Sequence, residues 1–458
     1  MMGGLISPTQ GLGAFVKALH YEDVPKAVIE KAKESILDTL GVAIAGSRFE
    51  EVPSVVEEIL KHDRACESTV WGFGRRASVF NAALLNGVMG HALELDDVHK
   101  ESKVHPGVVV VPAALSVAEA LNCSGKELLE AVIAGYEVMI RIGMGIGVSS
   151  HRLKGWHVTG TAGTFGAASA SAKLLKLDES GIVSALGLAG TQSSGLWAFT
   201  ADGATCKKLH PGHAAYAGVL SAFLSKAGMR GSSRILDAED GGLYPATSDE
   251  YDISLVTKGL GESFEILKVD RKPYACCRSM HPPIDAVIRL KREHGLEPED
   301  VEAINIRTYK VALKQCAFTK RPINVAEAKF SMAYGVAVAL CDGKALVEQF
   351  APERIRDPKV LALAARVNIE EDEEFTSRYP SEWGCEVRIL TKSGKEYGLR
   401  VYAAKGDSAS NPMTPEEIKH KFIDLVRPVL GDKTESLYDL ITEVEGVKSL
   451  RELGSFLG

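Results

Sequence analysis

The chain has 458 residues, enough for two or three domains of roughly 150 residues and for a large buried core. Hydrophobic residues make up 45% and charged residues 25% of the sequence, which is typical of a globular protein and excludes a disordered, collagen-like or disulfide-stapled chain. The net charge of −7 leaves no overall basic surface for nucleic acid. No apolar run approaches the roughly 18 residues of a membrane span. We therefore expect neither a nucleic-acid partner nor a membrane partner.

Cysteine usage and the first residues indicate a compartment. Eight cysteines are spread along the chain without a C-x-x-C pair, which is typical of free thiols rather than of a disulfide framework. Met1–Leu12 lacks the basic start and the apolar stretch of a secretory signal. We therefore predict a cytoplasmic protein with reduced cysteines.

The first half of the sequence predicts one helix after another, because apolar residues recur at intervals of three and four. Ser124 and Glu127 form a capping box that marks one helix start. The later segments are rich in Ala, Gly and Ser, so we expect helices in close contact within a buried bundle. The predicted helical segments are Val24–Gly46, Val79–Leu95, Ser124–Met144, Thr161–Leu175, Gly181–Leu188 and His213–Ala227.

A different pattern begins after about Ser263. Val301–Tyr309 alternates apolar and polar residues, as a half-buried strand does. Glu386–Thr391 and Glu396–Val401 alternate on either side of a Ser-Gly turn, which predicts a hairpin. The helices predicted between these strands are Pro282–His294, Val325–Ala339 and Pro358–Ala365.

The chain returns to helix after Gly406, where Thr414 begins a second capping box and two more helices follow. We therefore predict a mainly α fold, in which a large all-helical domain formed by both chain ends carries a smaller inserted α+β lid domain. The predicted boundaries are 1–264 and 406–458 for the helical domain and 265–405 for the lid domain.

Eight of the 12 histidines fall between His91 and His281, and histidine is the side chain best suited to move protons near neutral pH. In the first of four polar segments, acids and imidazoles lie close together from His91 to His99, and a His-Pro-Gly turn follows. Such packing can orient an imidazole or raise the pKa of a carboxyl, although a solvated helix end has the same composition. A metal site is the sharper alternative, although its spacing matches no zinc motif. Its ligands would be Asp96, Asp97, His99 and His105.

His157 stands alone among glycines and threonines in the second segment, Gly155–Gly166. The run is not G-x-G-x-x-G and follows no predicted strand, so it does not support a dinucleotide site. Backbone N–H groups at a helix start can bind an anion. A tightly packed helix with a histidine at its mouth would have the same sequence, so both interpretations stay open.

Two further segments carry cationic groups in apolar surroundings. Lys207, Lys208 and His210 lie together in the third segment, and residues 268–281 set four cationic residues against one Asp in the fourth. Either segment alone suits a solvated turn or hinge, but together with the imidazoles they favour a polyanionic substrate. No P-loop and no G-x-S-x-G elbow occurs. Carboxylates are therefore the better prediction, with proton abstraction next to a carboxylate as the chemistry.

Five stretches of the sequence resemble the MmgE/PrpD family, which includes 2-methylcitrate dehydratases, cis-aconitate decarboxylases and iminodisuccinate epimerases. They are NGVMGHALELDDVH with the following HPG, GWHVTGTAGTFGAA, DGATCKKLHPGHAA, KPYACCRSMHPPIDA and FSMAYGVAVAL. Their order and spacing extend the resemblance through nearly the whole chain. The resemblance implies a large helical domain, a smaller α+β lid domain, a homodimer, and chemistry without a metal or other cofactor.

The resemblance also implies a set of site residues. The acidic position falls within Glu94–Asp97, where we choose Asp97, and the late helix contributes Tyr334, which composition alone does not single out. The residues implied as catalytic are Asp97, His105, His157, Lys207, His281 and Tyr334, and those implied as substrate-binding are Lys208, Lys272 and Arg278.

We therefore expect a metal-independent lyase that acts on a small di- or tricarboxylic acid. His105 or His157 would be the base, oriented by Asp97, and His281 or Tyr334 would be the acid. The leading hypothesis is dehydration of a 2-methylcitrate-like hydroxy acid. Epimerisation of an iminodisuccinate-like dicarboxylate and decarboxylation of a cis-aconitate-like acid are the alternatives within the family. A carboxylate-binding protein without catalysis and a metal hydrolase are the alternatives from other classes.

Overall fold

A computed structural model describes residues 6–458 of the chain. The fold is mainly α, as predicted. Eleven of the helices precede residue 250: α1 (Pro8–Ala18), α2 (Lys26–Gly46), α3 (Val52–His62), α4 (Val79–His91), α5 (Gly107–Leu121), α6 (Gly125–Gly145), α7 (Val148–Leu153), α8 (Val158–Leu174), α9 (Glu179–Gly190), α10 (Leu209–Lys226) and α11 (Leu243–Thr247). The later helices are α12 (His281–His294), α13 (Lys310–Cys316), α14 (Val325–Ala328), α15 (Met332–Asp342), α16 (Pro358–Ala364), α17 (Glu373–Arg378), α18 (Pro415–Leu430) and α19 (Lys433–Thr442).

The strands of the described residues form three small sheets. Two of these sheets are antiparallel pairs: β1 (Ser68–Val70) with β2 (Arg75–Ala77), and β3 (Val98–His99) with β4 (Val269–Asp270). The third sheet has the strand order β6-β5-β7-β8 and lies within residues 265–405, the inserted region that the sequence predicts. Its strands are β5 (Val301–Thr308), β6 (Val367–Glu371), β7 (Cys385–Thr391) and β8 (Glu396–Val401). The predicted β7–β8 hairpin is confirmed, whereas β6, which pairs parallel to β5, was not predicted.

Two hydrophobic cores hold these elements together. The larger core contains residues from both chain ends, such as Ile36, Val138 and Phe422, so α18 packs against α2 although the two helices are far apart in sequence. The smaller core is built mostly from residues 275–401. This arrangement agrees with the predicted fold class, while the boundaries at 264/265 and 405/406 and the homodimer stay predictions.

Close contact between helices follows from the small residues, as the sequence indicates. A Cβ atom added to Gly166 of α8 would lie 2.7 Å from the Cβ of Met139 and 2.9 Å from the backbone oxygen of Gly135, both in α6. Both predicted capping boxes are present: Ser124 with Glu127 begins α6, and Thr414 with Glu417 begins α18. Local sequence therefore determines these helix starts.

Three segments depart from the prediction. Helix α4 ends at His91 rather than at Leu95, because Glu94 adopts a left-handed backbone with φ of 54°. The segment Val325–Ala339 is broken between α14 and α15, where Ser331 caps the second helix. The last predicted helix, 447–456, is a 3₁₀ turn over Leu450–Ser455.

Two further observations concern membrane-spanning helices and the cysteine thiols. Among residues 6–458, no helix combines the length and the apolar character needed to cross a bilayer. All eight cysteines lie in this range and are free thiols.

Candidate active site

A cavity lies where the two hydrophobic cores meet. Its wall includes the turn after α4, the loop before α5, the start of α8, the turn before α10 and the first part of the inserted region. The predicted site residues in this wall are His105, His157, Lys207, Lys272 and Arg278. The predicted residues outside it are Asp97, Lys208, His281 and Tyr334.

His105 has the hydrogen bonds of an oriented imidazole. Its Nδ1 lies 2.7 Å from the backbone oxygen of Asp97 and 3.0 Å from a carboxylate oxygen of Asp96. Because both partners accept, Nδ1 carries the proton and Nε2 keeps the lone pair. Burial lowers the pKa of His105, although the carboxylate of Asp96 opposes that shift. The ring is therefore mostly neutral at pH 7 and able to accept a proton.

Asp96 is the carboxylate that connects two imidazoles. Its Oδ2 contacts Nδ1 of His105 and lies 2.9 Å from Nδ1 of His91. Burial would raise the pKa of Asp96, but electrostatic attraction to His91, Lys272 and His105 outweighs burial and holds that pKa well below its usual range. Asp96 is therefore ionised and stabilises positive charge on either ring.

Glu94 is the carboxylate that lies in the cavity wall. The ammonium of Lys207 contacts it directly, and that of Lys272 lies 3.7 Å away. Burial would raise the pKa of Glu94, but Lys207, His91 and Lys272 hold it below its usual range. Its left-handed backbone is uncommon for a residue with a side chain, and such strain is concentrated at functional sites.

Residues 92–97, which we call the acidic turn, are held by lysines from distant parts of the chain. Lys329 donates to the backbone oxygens of residues 92 and 93, Lys272 donates to that of residue 94, and Lys421 donates to that of residue 95. These carbonyls follow the C-terminus of α4, where free acceptors and the helix dipole favour cations. The lysines therefore stabilise the turn that follows α4 and fix the backbone of Glu94, which lies in the cavity wall.

His157 immediately precedes α8, and its ring is paired with a second histidine. Its Nδ1 lies 2.9 Å from Nδ1 of His210, so one ring donates and the other accepts. Burial, together with the charge of Lys207, lowers the pKa of His157 well below its usual range, and burial lowers that of His210 to about 4. The pair is therefore neutral at pH 7, and the hydrogen bond requires one ring to carry its proton on Nδ1 and the other on Nε2.

Arg278 is positioned by a chain of buried groups. Its guanidinium donates to Asp270 at 3.1 Å and to Nδ1 of His281 at 3.1 Å. The Nε2 of His281 then donates to the backbone oxygen of Cys276 at 3.2 Å. Burial and the charge of Arg278 lower the pKa of His281 well below its usual range. His281 thus has both nitrogens occupied, and its geometry suits a residue that positions Arg278 rather than an acid that reaches the substrate.

The carboxylate of Asp97 points away from His105, which corrects the expected orientation. Its oxygens accept from the backbone N–H of Gly107 at 2.9 Å and from the hydroxyl of Tyr136 at 2.8 Å. Burial raises the pKa of Asp97. Asp97 anchors the start of α5 through its side chain and touches His105 only through its backbone oxygen, so Asp96 is the orienting carboxylate.

Tyr334 and Lys208 also lie away from the cavity wall. The hydroxyl of Tyr334 donates to the backbone oxygen of Gln349 at 2.6 Å inside the smaller core. The ammonium of Lys208 lies 2.9 Å from Glu51 and 3.5 Å from Glu50. A motif match locates both residues in the sequence, but it does not show where their side chains point.

The wall contains polar residues that sequence reasoning missed. Lys103 and Arg152 both lie in this wall, but no motif or spacing distinguishes them from neighbouring cations such as Lys100 and Lys154. Cys277 also lies in the wall, and a hydrogen bond with Cys316 lowers the pKa of its thiol to about 7 although burial opposes this. Two cysteines that are far apart in sequence leave no local pattern from which their contact could be predicted. Glu94 and Asp96, in contrast, lie in the first of the four polar segments described above.

The predicted metal ligands are not assembled as one set. Asp97 is bound to Gly107, and Nδ1 of His99 pairs with Ser102 at 2.9 Å. Among residues 6–458, donor atoms of His91, Asp96 and His105 do lie within 4.8 Å of one another. However, the ammonium of Lys272 lies 3.9 Å from Asp96 and competes with a metal cation for this carboxylate. The donors therefore fit a hydrogen-bonded Asp–His arrangement better than a metal.

Comparisons with known proteins cover the chain almost from end to end. It is 29% identical over 456 residues to a cis-aconitate decarboxylase of Aspergillus terreus, an alignment that covers 95% of this chain and 92% of the relative. It is 28% identical to the human cis-aconitate decarboxylase, over 99% of this chain and 95% of the relative. The mouse cis-aconitate decarboxylase is 27% identical, with 99% and 94% covered.

The fold and the site define a mainly α enzyme with a cationic, histidine-bearing cavity between two hydrophobic cores. Family models identify it further: residues 10–255 match the MmgE/PrpD N-terminal domain, and residues 274–444 match the MmgE/PrpD C-terminal domain. The chain belongs to the MmgE/PrpD family.

Proposed function

We propose that the protein is a carboxy-lyase that decarboxylates a small unsaturated tricarboxylate of the cis-aconitate type. The observation that carries this proposal is a cationic cavity with an oriented imidazole, in a chain that aligns over 95% of its length with a cis-aconitate decarboxylase. Lysine and arginine side chains such as Lys207, Lys272 and Arg278 suit a polyanionic acid, because charge-assisted hydrogen bonds are the strong ones. Decarboxylation thus replaces dehydration as the leading hypothesis.

The proposed reaction needs no oxidant or reductant. The carboxylate on the CH₂ carbon leaves as CO₂, and the electron pair of the broken bond forms a new C=C bond. The electrons of the former double bond move to the next carbon, where an adjacent carboxylate spreads the charge as a dienolate. A proton added to that carbon completes a methylene dicarboxylate. One CO₂ leaves and one proton enters, and cations near the developing charge lower the barrier.

His105 is the proposed proton donor. In the empty cavity its pKa is lowered by burial, but a bound polyanion adds negative charge beside the ring and raises that pKa. Asp96 stabilises the imidazolium through Nδ1, so Nε2 can carry the transferred proton. His157 is the second candidate, because its ring lies in the same wall.

The runner-up is dehydration of a 2-methylcitrate-like hydroxy acid, and epimerisation of an iminodisuccinate-like acid has the same first step. The observation that favours this alternative is the neutral state of His105, whose pKa burial lowers. A neutral Nε2 suits removal of a proton from the carbon next to a carboxylate. Lys207 would then stabilise the enolate-like charge.

Proton NMR in D₂O with a panel of acids separates these reactions. The panel holds cis-aconitate, 2-methylcitrate, citrate, malate, tartrate and iminodisuccinate. We expect cis-aconitate to lose its vinyl signal and to give a methylene product with one deuterium. An alkene from 2-methylcitrate would favour dehydration, and inversion with exchange would favour the epimerase. A thermal shift with every acid but no chemical change would replace the proposal with a binding protein.

Two neighbouring lysines make a matched pair of variants. Lys207→Met removes the cation that contacts Glu94, and we expect kcat/KM to fall about 100-fold or more, as for loss of a group that stabilises transition-state charge. Lys208→Met removes a cation that pairs with Glu50 and Glu51 outside the cavity, so its kcat/KM is expected to stay within about twofold of wild type. Equal losses in both variants, with unchanged circular dichroism, would contradict this assignment.

A further inference from the structure

Two cations in the cavity wall have no part in the mechanism above. Lys103 lies in the loop before α5 with a left-handed backbone, φ of 56°, and its ammonium lies 4.4 Å from the ring centroid of Tyr379. Arg152 lies in α7, and its guanidinium lies 4.1 Å from the ring of Trp197. All four side chains border the same cavity as His105 and Lys207.

Neither cation has an acidic partner. Within residues 6–458, no carboxylate lies within 4.0 Å of either charged group, and Nε of Arg152 is buried without a hydrogen-bond partner. The other cavity cations differ in this respect, since Lys207 pairs with Glu94 and Arg278 pairs with Asp270. Buried polar groups are normally hydrogen-bonded, so a donor left free in a cavity wall points to an external acceptor.

The electrostatics of the pair agree with this interpretation. Burial and the charge of Arg152 together lower the pKa of Lys103 to about 8. Burial also lowers the pKa of Arg152. Two like charges that face one cavity without a counter-ion repel each other, and an anion between them removes both the repulsion and the unsatisfied donors.

We propose that Lys103 and Arg152 form a separate carboxylate subsite within the cavity, which binds a carboxylate other than those held by Lys207 and Lys272. This inference rests on the proposed function and assigns the residues that bind the third carboxylate of the proposed tricarboxylate substrate. The cavity acid Glu94 already balances one lysine charge, so the extra negative charge of a tricarboxylate is matched by the unpaired cations. The planar guanidinium of Arg152 provides the bidentate geometry that a carboxylate prefers.

Binding of two unreactive acids tests the subsite without any need for turnover. Tricarballylate has three carboxylates, and 2-methylsuccinate is the same molecule with one terminal carboxylate replaced by hydrogen. Calorimetry compares their affinities for wild type, Lys103→Met and Arg152→Gln. We expect each variant to bind tricarballylate about 10- to 100-fold more weakly, as for loss of a charged hydrogen bond. The affinity for 2-methylsuccinate should change by no more than about twofold.

Controls separate the loss of this charge from general damage. Lys154→Met removes a nearby cation that pairs with Asp249 at 2.7 Å outside the cavity, and it should bind both acids as wild type does. Lys103→Arg keeps the charge and should retain most of the affinity for tricarballylate. If a methionine variant does not fold, the arginine and glutamine variants still provide the comparison.

The possible results distinguish the subsite from the proposed function. Equal losses for both acids, or no loss for either, would overturn the subsite even if wild type decarboxylates cis-aconitate. A selective loss for tricarballylate without turnover of any acid in the panel would support the subsite and contradict the decarboxylase proposal. Failure of wild type to bind tricarballylate would overturn the subsite, whereas the proposed function is decided by turnover of cis-aconitate.

Discussion

Asp96 and Asp97 are adjacent in the chain and equally buried, but their carboxylates have different partners. Asp96 contacts the ring of His105, whereas Asp97 accepts from Gly107 and Tyr136. Nearby cations hold the pKa of Asp96 well below its usual range despite its burial, and burial raises that of Asp97. The carboxylate of Asp96 therefore orients the imidazole of His105, whereas that of Asp97 stabilises the start of α5.

Asp96→Asn tests this difference through the pH profile of kcat/KM. Asp96 raises the pKa of His105 against the effect of burial, so the substitution lowers that pKa further. The part of the pH profile that reports the titration of His105, here called its limb, therefore moves to lower pH. If the imidazolium donates the proton, activity falls as pH rises through this limb; if the neutral ring is the base, activity falls as pH decreases. We also expect a rate loss of about 100-fold.

The control is Asp97→Asn, which leaves the carboxylate at His105 in place. It should lower the melting temperature and leave the position of the limb unchanged. An unshifted limb in Asp96→Asn, or an equal shift in both variants, would show that Asp96 does not tune His105.

At the scale of elements, the short pairing of β3 with β4 ties the loop that carries His105 to the start of the inserted region. Glu265, in the turn before β4, reinforces this connection. Its carboxylate lies 2.9 Å from Lys268 and 3.5 Å from His99 of β3. Burial opposes ionisation, but His99 and Lys268 lower the pKa of Glu265 from 4.5 to about 2. Folding thus favours the ionised form of Glu265.

Glu265→Gln tests the contribution of this carboxylate to stability. A pKa that folding lowers gives stability that is complete above the unfolded value of 4.5 and is lost as pH falls toward about 2. We expect the variant to be roughly 1–3 kcal/mol less stable at pH 7 in urea unfolding. The difference from wild type should disappear as the pH approaches 2. Glu262→Gln, at an exposed position nearby, is the control, and a constant difference at all pH values would contradict the linkage.

At the scale of the whole molecule, the cavity takes its wall from both hydrophobic cores. Val158 belongs to the larger core, and Phe330 belongs to the smaller one. The acidic turn crosses the boundary, because Leu93 and Leu95 are buried in the smaller core although they follow α4. A ligand in this cavity therefore contacts both cores at once.

This arrangement predicts that a ligand stabilises the two cores together. Scanning calorimetry with tricarballylate at about 100 times its Kd should show one transition, with the native state stabilised by about 2.7 kcal/mol. Lys207→Met should show a smaller increase in melting temperature at the same ligand concentration. Two separate transitions, of which the ligand moves only one, would show that the cavity does not couple the cores.

The sequence predicts features that depend on neighbouring residues and misses those that depend on distant ones. The capping boxes at Ser124 and Thr414 are local, and both predicted helix starts are correct. The predicted end of α4 at Leu95 is wrong, because the turn after His91 is stabilised by lysines that lie 178 to 326 residues away from the carbonyls they bind. The parallel strand β6 depends on pairing with β5 across an intervening segment.

Prediction of the site residues from the sequence has the same limit. Motif similarity predicts the segments that line the cavity, including His105, His157 and Lys207. It does not distinguish Asp96 from Asp97, since adjacent residues in a turn project in different directions. Lys103 and Arg152 follow no motif, and only the fold brings them to one wall.

The lysines around the acidic turn also determine when the site can be completed during synthesis. Lys207 is synthesised 113 residues after Glu94. Lys421, which binds both Asp38 and the oxygen of Leu95, is synthesised 326 residues after Leu95. A nascent chain that stops before residue 421 has this turn without its last cation. Translation order thus places final closure of the acidic turn after synthesis of α1 to α17.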